Sequence, residues 1–569
     1  TIIDDWISSE ERLNAIENAT QCGKKWYEFG RHEFTQEGIC WPDYDREAMY
    51  FFWIEICLAN AIAQKIKEKY IQTVVLIISL NESVQIYYDS VHICKTFWKT
   101  DLNPTISISK NISITHYLKL YFKKNVLQIK DIMKRYDYIF FPEVSPKDLS
   151  NKVIFVINPG EFYRFRHVIL RLSEKFQDRL LIITLNSSRS EAYKISKEVS
   201  VPVFCEPRML PIKKELKQKF LQGYQKCIQN SNDSLWEKTL VYLQNHFKYY
   251  CENRWPELDA KYRTWLELME TGTPAAVIVS SLADSESQIP AEAAKRRGIL
   301  TFSIPHGGVE SYNNFTASDI LLVSARTQQM VWAKNGVDTH RLMCCRNLIA
   351  NDEYLATQTM TSNPILCKNN LIKILIILGR TGRPDFIPDI SLSAQSTALE
   401  ILSNPPEDLR GKIDIKLKVH PGFPDLEFIE FMNNNLISNV LPIEFPLNPA
   451  LQWADIIVVL NTTTTAIIHA VKAKKPIIFL YTDVLILNEK FLDAATAKIF
   501  SQAGTVVSGS KEFWTLIYKF SAESMVRTKM QEASRNFYLH YLDDSSYPYI
   551  DEIIQKEIDN KNLSDKKQS

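Results

Sequence analysis

Short apolar runs recur along this chain, each closed by a polar or glycine-containing loop and followed by a helix-length amphipathic stretch. They are KVIFVIN (152–158), RLLIITL (179–185), VPVFC (201–205), PAAVIVSS (274–281), ILTFSI (299–304) and DILLVSA (319–325), then IKILIIL (372–378), IDIKLKV (413–419), IIVVL (456–460) and PIIFL (476–480). A run that is apolar at consecutive positions fits a strand covered on both faces, and such strands belong to parallel sheets flanked by helices. Their alternation with helices implies right-handed crossovers and an α/β class. A further strand is expected at Thr73–Ser79, and shorter strands and helices over 82–150.

Other stretches carry helical periodicity instead. Residues 1–70 read as helical, with DREAMYFFWIEICLANAIAQKIKEK (45–69) apolar on more than one face and ending in lysines, which suit a helix C-terminus. Residues 211–271 read as an inserted helical layer whose purpose the sequence does not disclose. A helix is expected to begin near Pro290, and others to fill the region from Tyr481 to about 540. The last residues, DNKNLSDKKQS, are charged and expected to fray. The polar, aperiodic segment around 346–370 suggests a boundary. It gives a first domain over 1–350, a second over 351–540 and a C-terminal helix or tail over 541–569.

Bulk properties narrow the class. At 569 residues the chain exceeds one ordinary core. A net charge of +1 argues against a dedicated nucleic-acid binder. No apolar run approaches the roughly 20 residues of a membrane-spanning helix. The start, TIIDDWISSEERL, lacks a basic-then-apolar signal pattern, although a short native leader could precede this numbering. The 10 cysteines form no CxxC pair, and vicinal Cys344-Cys345 has no zinc-site spacing, so reduced thiols in a cytoplasmic protein are expected. Basic and aromatic residues near Tyr117–Lys124 fit a solvated amphipathic face, or contact with a membrane surface or polyanionic acceptor.

Candidate chemistry collects where strands end. In open parallel sheets, ligands gather beyond the carboxyl ends of the strands, and helix N-termini there favour phosphate. His420-Pro421-Gly422 closes one strand, and Asn461 followed by four threonines closes another. Arg380 sits in the loop after 372–378. Earlier in the chain, Asp284 and Glu286 follow the strand at 274–281, and His306 follows the next in Pro305-His306-Gly307-Gly308. Asn158-Pro159-Gly160-Glu161 ends the 152–158 strand, with Glu161, Arg164, Arg166 and His167 opening the next helix, where they face a substrate or merely cap and solvate it. For Asp284 and Glu286 helix capping is an equal reading, and His306 also fits a turn. Asp43-Tyr44-Asp45 is a DxD triplet with no strand before it, so Asp45 reads as an N-cap rather than a metal ligand. His469, on an otherwise apolar helix turn, reads as a packing histidine.

The pieces IPHGGVES (304–311), KVHPGFPD (418–425) and LNTTTTAIIHAVKAKKPIIF (460–479) resemble those of two-domain GT-B glycosyltransferases of the bacterial capsule and surface-polysaccharide type. Polysialyltransferase-like, Kdo-transferase-like and CDP-glycerol-polymerase-like groups share this pairing of a His-Pro loop with a hydroxyl-rich loop. The resemblance covers roughly 274–310 and 372–480, and implies two Rossmann-like domains facing a cleft, with helical N-terminal and inserted segments. It implies donor-phosphate binding by His420, Thr463, Thr464 and Thr465, with Arg380 as a further contact. Many GT-B enzymes carry a ribose-binding glutamate where this sequence has His469. A UDP-hexose donor is therefore disfavoured and a CMP- or CDP-linked one preferred.

Glycosyl transfer of this kind needs an acceptor-side base or nucleophile and charge cover for the departing phosphate. Dipoles, hydroxyls and cations can supply the cover without a metal. No metal cluster is evident in the sequence, so metal-independent chemistry with no cofactor beyond the nucleotide-sugar is expected. Asp284, Glu286 and His306 are the acid–base candidates, and Glu161 and Arg164 the acceptor-side candidates. The implied partners are a nucleotide-sugar donor and a glycan or lipid-linked glycan acceptor. The expected location is the cytoplasm, extending to peripheral association with the cytoplasmic face of the inner membrane. Competing readings are a CDP-glycerol or CDP-ribitol phosphotransferase, a sugar-nucleotide epimerase and a non-catalytic GT-B scaffold.

Overall fold

The structure is a computed structural model, and it describes residues 8–45, 76–78, 107–109, 141–186, 189–229, 244–280, 285–305, 316–334, 336–348, 371–379, 404–420, 440–461, 464–482 and 494–568, with a few isolated positions between them. These fall into two compact units, one drawn from 1–304, 315–319 and 557–569, the other from 305–314 and 320–556. The expected boundary segment lies, over 349–370, outside the described residues. So does most of the expected helix at 45–69, and all of 117–124.

Two parallel sheets carry the architecture. The first contains β1 (Val153–Ile157), β2 (Leu180–Thr184), β3 (Val203–Cys205), β4 (Ala276–Ser280), β5 (Leu300–Ile304), β6 (Ile320–Val323) and β7 (Leu342–Cys344), in the order β3-β2-β1-β4-β5-β6-β7. The second contains β8 (Ile372–Ile377), β9 (Ile413–Lys418), β10 (Ile456–Leu460), β11 (Ile477–Leu480) and β12 (Thr505–Val507), in the order β9-β8-β10-β11-β12. Beyond β9, Leu417 makes a parallel bridge to Val440. Both orders are Rossmann-like: the chain runs outward from one central strand, then returns to build the other side. Every residue of β1, β2, β4, β10 and β11 is buried, as their uninterrupted apolar sequences require. The Thr73–Ser79 expectation corresponds to a short strand, Leu76–Ile78, paired in parallel with Ser107–Ser109.

Among the helices are α1 (Ser9–Gly30), α2 (Phe162–Phe176), α3 (Arg189–Glu198), α4 (Lys214–Gln229), α5 (Trp255–Gly272), α6 (Ser285–Arg296), α7 (Arg326–Lys334), α8 (Ala466–Lys472) and α9 (Ile550–Gln568). The inserted helical layer has a core of its own. Phe34, Phe220 and Phe247 close around Trp255, with ring centroids 4.7, 5.9 and 6.5 Å away. The layer therefore binds the 31–45 segment to α4 and α5 through buried aromatic area. Gly223 makes the close approach, since a Cβ there would sit 2.9 Å from Glu33 Cβ.

Two sequence expectations shift. The helix placed near Pro290 begins at Ser285, and Pro290 lies inside it. A proline lacks one donor and crowds the preceding turn, yet Ile289, Ala291, Ala293 and Ala294 are all buried, and their packing outweighs that local loss. The frayed tail is instead the second half of α9, whose first half buries Ile550, Ile553, Ile554 and Ile558. No helix among the described residues is long and apolar enough to cross a membrane.

Candidate functional site

The second sheet brings three loops to one edge. Ile377 of β8 pairs with Lys418 of β9 on one side and Val459 of β10 on the other. The Leu378 N–H continues the ladder to the Lys418 carbonyl at 3.0 Å. Two residues beyond that register, Gly379, His420 and Asn461 leave the sheet at the same level. His420 and Asn461 thus flank the central strand rather than adjoin each other. Two strand spacings separate them, about 10 Å, so they can address one ligand from opposite sides. The switch in strand order between β8 and β10 is also where Rossmann-like sheets hold ligands.

Asn461 turns the chain out of β10 with φ of +35°, a conformation asparagine tolerates better than most residues. Its side chain is fully buried and accepts from Thr482 N–H at 2.7 Å, while its amide donates to Thr482 Oγ1 at 2.5 Å. The loop after β10 is thereby tied to the loop after β11. Thr464 and Thr465 follow, half-buried, and Thr464 Oγ1 accepts from the Ala466 N–H at 3.3 Å at the start of α8. Thr463 and Arg380 lie outside the described residues.

Two residues before His420 stands Lys418, a residue that sequence reasoning passed over. Its ammonium is buried and donates to the carbonyls of Ile443 (2.8 Å) and Val419 (3.1 Å). Burial pulls its pKa down, and Glu444 only partly restores it. Lys418 therefore anchors both the residue before His420 and the segment at Ile443, which runs alongside β9 from the Val440 bridge. The alternation in IDIKLKV gave no sign of this, because the partner lies 25 residues away.

His469, on α8, has a buried Nδ1 with no hydrogen-bond partner. Burial, then the nearby Lys472 ammonium, lowers its pKa to about 4. The ring is neutral at pH 7, in keeping with packing. Lys472 in turn pairs with Asp544 at 3.6 Å, both side chains almost fully buried.

In the first sheet, Asp284 and His306 lie outside the described residues, and Glu286 stands in the first turn of α6. Its carboxylate accepts from Arg254 at 2.6 Å and is bound by the Lys261 ammonium. Burial would raise its pKa, but Lys261 and then Arg254 more than offset this and hold it below the usual range. The contacts continue on both sides: Arg254 reaches Asp45 at 3.5 Å, and Lys261 donates to Asn186 Oδ1 at 3.1 Å. Asp45 also accepts from Trp255 Nε1 at 3.2 Å. Its carboxylate is thus committed to joining the 31–45 segment to α5, a long-range role no local pattern could reveal. Arg254 closes a π-helical turn, Tyr250–Arg254, a local widening that often accompanies specialised sites.

At the end of β1, Asn158-Pro159-Gly160-Glu161 forms a turn closed by Glu161 N–H to the Asn158 carbonyl at 3.2 Å. Gly160 has φ of +83°, so the proline–glycine order is that of a type II turn. Glu161 is buried and accepts from Ser280 Oγ, at the end of neighbouring β4, at 2.9 Å. Arg164 is half-buried in the first turn of α2, and Arg166 is spent on an exposed pair with Glu198 at 2.6 Å. Among the described residues, no cluster of three or more His, Cys, Asp or Glu side chains could hold a metal ion, and Cys40, Cys205, Cys227, Cys251 and Cys344 are free thiols.

No protein-family model matches the sequence, and no curated protein does. Among solved structures, a putative UDP-N-acetylglucosamine 2-epimerase from Listeria monocytogenes is 12% identical, covering 68% of this chain and 92% of its own, with a TM-score of 0.42. MurG from Acinetobacter baumannii is 11% identical over 72% of this chain and 98% of its own, with a TM-score of 0.38. The wall teichoic acid polymerase TagF is 12% identical over 77% and 98%, with a TM-score of 0.39. With TM-scores below 0.5 these likenesses carry no argument alone, and the fold class rests on strand order.

Proposed function

We propose that this chain is a glycosyltransferase of the GT-B type that takes a sugar from a nucleotide-activated donor, with the carboxyl edge of the second sheet as the donor-phosphate site. The observation that carries this reading is the register that brings Gly379, His420 and Asn461 to one level at the point where the strand order reverses. In the proposal, His420 faces the leaving phosphate from one side, Thr463, Thr464 and Thr465 from the other, and Arg380 from the central loop. Hydrogen-bond donors fixed before the reaction stabilise developing charge without reorganising.

A cytidine-linked donor is preferred on the resemblance of the His-Pro and threonine loops to the polysialyltransferase-like and CDP-glycerol-polymerase-like groups. The acceptor is proposed to be a surface glycan or its lipid-linked precursor, and the working location the cytoplasmic face of the membrane. Asp284 or His306 is proposed as the acceptor-side base. Glu286, already held by two cations, is better suited to positioning than to taking a proton.

Transfer assays with CMP-, CDP-, UDP- and GDP-linked sugars, with and without a chelator, test this reading. A cytidine-linked sugar is expected to be consumed, with turnover unchanged by chelator. Turnover only with CDP-glycerol or CDP-ribitol would establish phosphotransfer instead. Release of an epimerised sugar nucleotide without transfer would establish the epimerase, and no turnover or nucleotide binding would leave the scaffold.

A further inference from the structure

The carboxyl edge of the second sheet has a fourth loop, and a buried cation joins it to the His-Pro loop. Leu417 bridges Val440 in parallel, and the Leu441 N–H donates to the Leu417 carbonyl at 2.9 Å. Continued by three residues, that register sets Ile443 opposite His420. Ile443 therefore stands level with Gly379, His420 and Asn461, one strand position farther out than His420. The loop then turns, with the Phe445 N–H donating to the Pro442 carbonyl at 3.0 Å and the Phe445 side chain buried.

The cation is Lys418. Along β9, Ile415, Leu417 and Val419 join the apolar core, so strand alternation gives Asp414, Lys416 and Lys418 the other face. Lys416 has a counter-charge in Asp414 at 3.9 Å. Lys418, 5% exposed, makes no ion pair among the described residues. Its ammonium donates instead to the carbonyls of Val419 at 3.1 Å and Ile443 at 2.8 Å. Burying an unpaired ammonium is costly, and a methionine would fill the space without that cost. What an apolar side chain could not do is hold two carbonyls together. Both carbonyls lie beyond Leu441–Leu417, the last backbone bond between the two segments among the described residues. One belongs to the peptide group leading into His420, and the other to the residue opposite it.

We infer that Lys418 is a positioning residue of the donor-phosphate edge, its ammonium clamping the His-Pro loop to the loop at Ile443 so that His420 meets the phosphate from a fixed support. The task given to His420 rests on the glycosyltransferase reading. The clamp itself stands on the contacts of Lys418.

Calorimetric titration of CMP and CDP into the full chain, Lys418→Met, His420→Ala and the double variant tests this, with amide exchange measured on the unliganded proteins. Lys418→Met keeps the apolar stem and should weaken nucleotide binding by about fivefold. The double variant should bind no more weakly than His420→Ala, because a residue acting through His420 then has nothing left to position. Exchange should rise at 419–420 and 441–445 and stay unchanged in β10 and β11. Lys418→Gln keeps a shorter donor, should fall between parent and Lys418→Met, and serves if the latter fails to fold. Additive losses in the double variant, unchanged exchange at both loops, or a lowered melting temperature with parental affinity would overturn the inference. If the parent binds neither nucleotide, the proposed function fails, and raised exchange in Lys418→Met still establishes the clamp. Nucleotide binding by the parent that both Lys418 variants retain in full does the reverse.

Discussion

His469 shows how a single buried ring sets a pH limit. Its pKa is about 4 in the folded chain against an ordinary 6.5, so between those values the unfolded state binds a proton that the folded state refuses. Stability therefore falls as pH drops from 6.5 to 4, by on the order of 3 kcal/mol in all. His469→Leu removes both the titration and the unpartnered Nδ1. Urea unfolding at pH 7 and pH 4.5 should show the variant losing less stability between the two than the parent. Glu286 behaves in the opposite chemical sense. Its folded pKa lies below the ordinary 4.5, so its contribution is present above that value and is lost as pH falls through the lower one. Glu286→Gln leaves the part-buried Arg254 and Lys261 short of a counter-charge, and should lower stability at pH 7 by roughly 2 to 4 kcal/mol.

At the level of elements, the strand ends depend on side chains that stitch loop to loop. Asn461 is the clearest case, because it combines a left-handed backbone with two bonds to Thr482. Asn461→Gly keeps the backbone freedom and loses the bonds, whereas Asn461→Ala loses both. Both should be destabilised, with alanine the worse by about 1 kcal/mol, as measured by denaturant midpoint.

The strands themselves were legible in the sequence. IIVVL at 456–460 and VIFVI at 153–157 read as strands because burial on both faces leaves no polar position to confuse the period. Helix starts were less legible. Ser285 was missed because Pro290 advertises a beginning, and only the packing of α6 shows that it is not one. The tail misled for a related reason: the buried face of α9 is set by isoleucines upstream of the charged residues that suggested fraying.

For the whole molecule, what the sequence could not display were the long-range commitments. Asp45, Arg254, Glu286, Lys261 and Asn186 lie far apart in the chain and form one run of contacts in the first unit. Lys418 reaches Ile443 in the second. The His-Pro and threonine loops were legible because each closes a strong strand, and the register sets His420 and Asn461, where the two strands end, at one level. In the proposed function these two loops, on either side of β8, hold a nucleotide phosphate. Calorimetric titration of CMP, CDP, UDP and GDP into the parent chain and into His420→Ala tests it most directly. A cytidine nucleotide is expected to bind the parent, and the variant, with its unliganded melting temperature unchanged, to bind it about tenfold more weakly, a difference of about 1.4 kcal/mol. Equal binding by parent and variant, or no nucleotide binding by the parent at all, would contradict it.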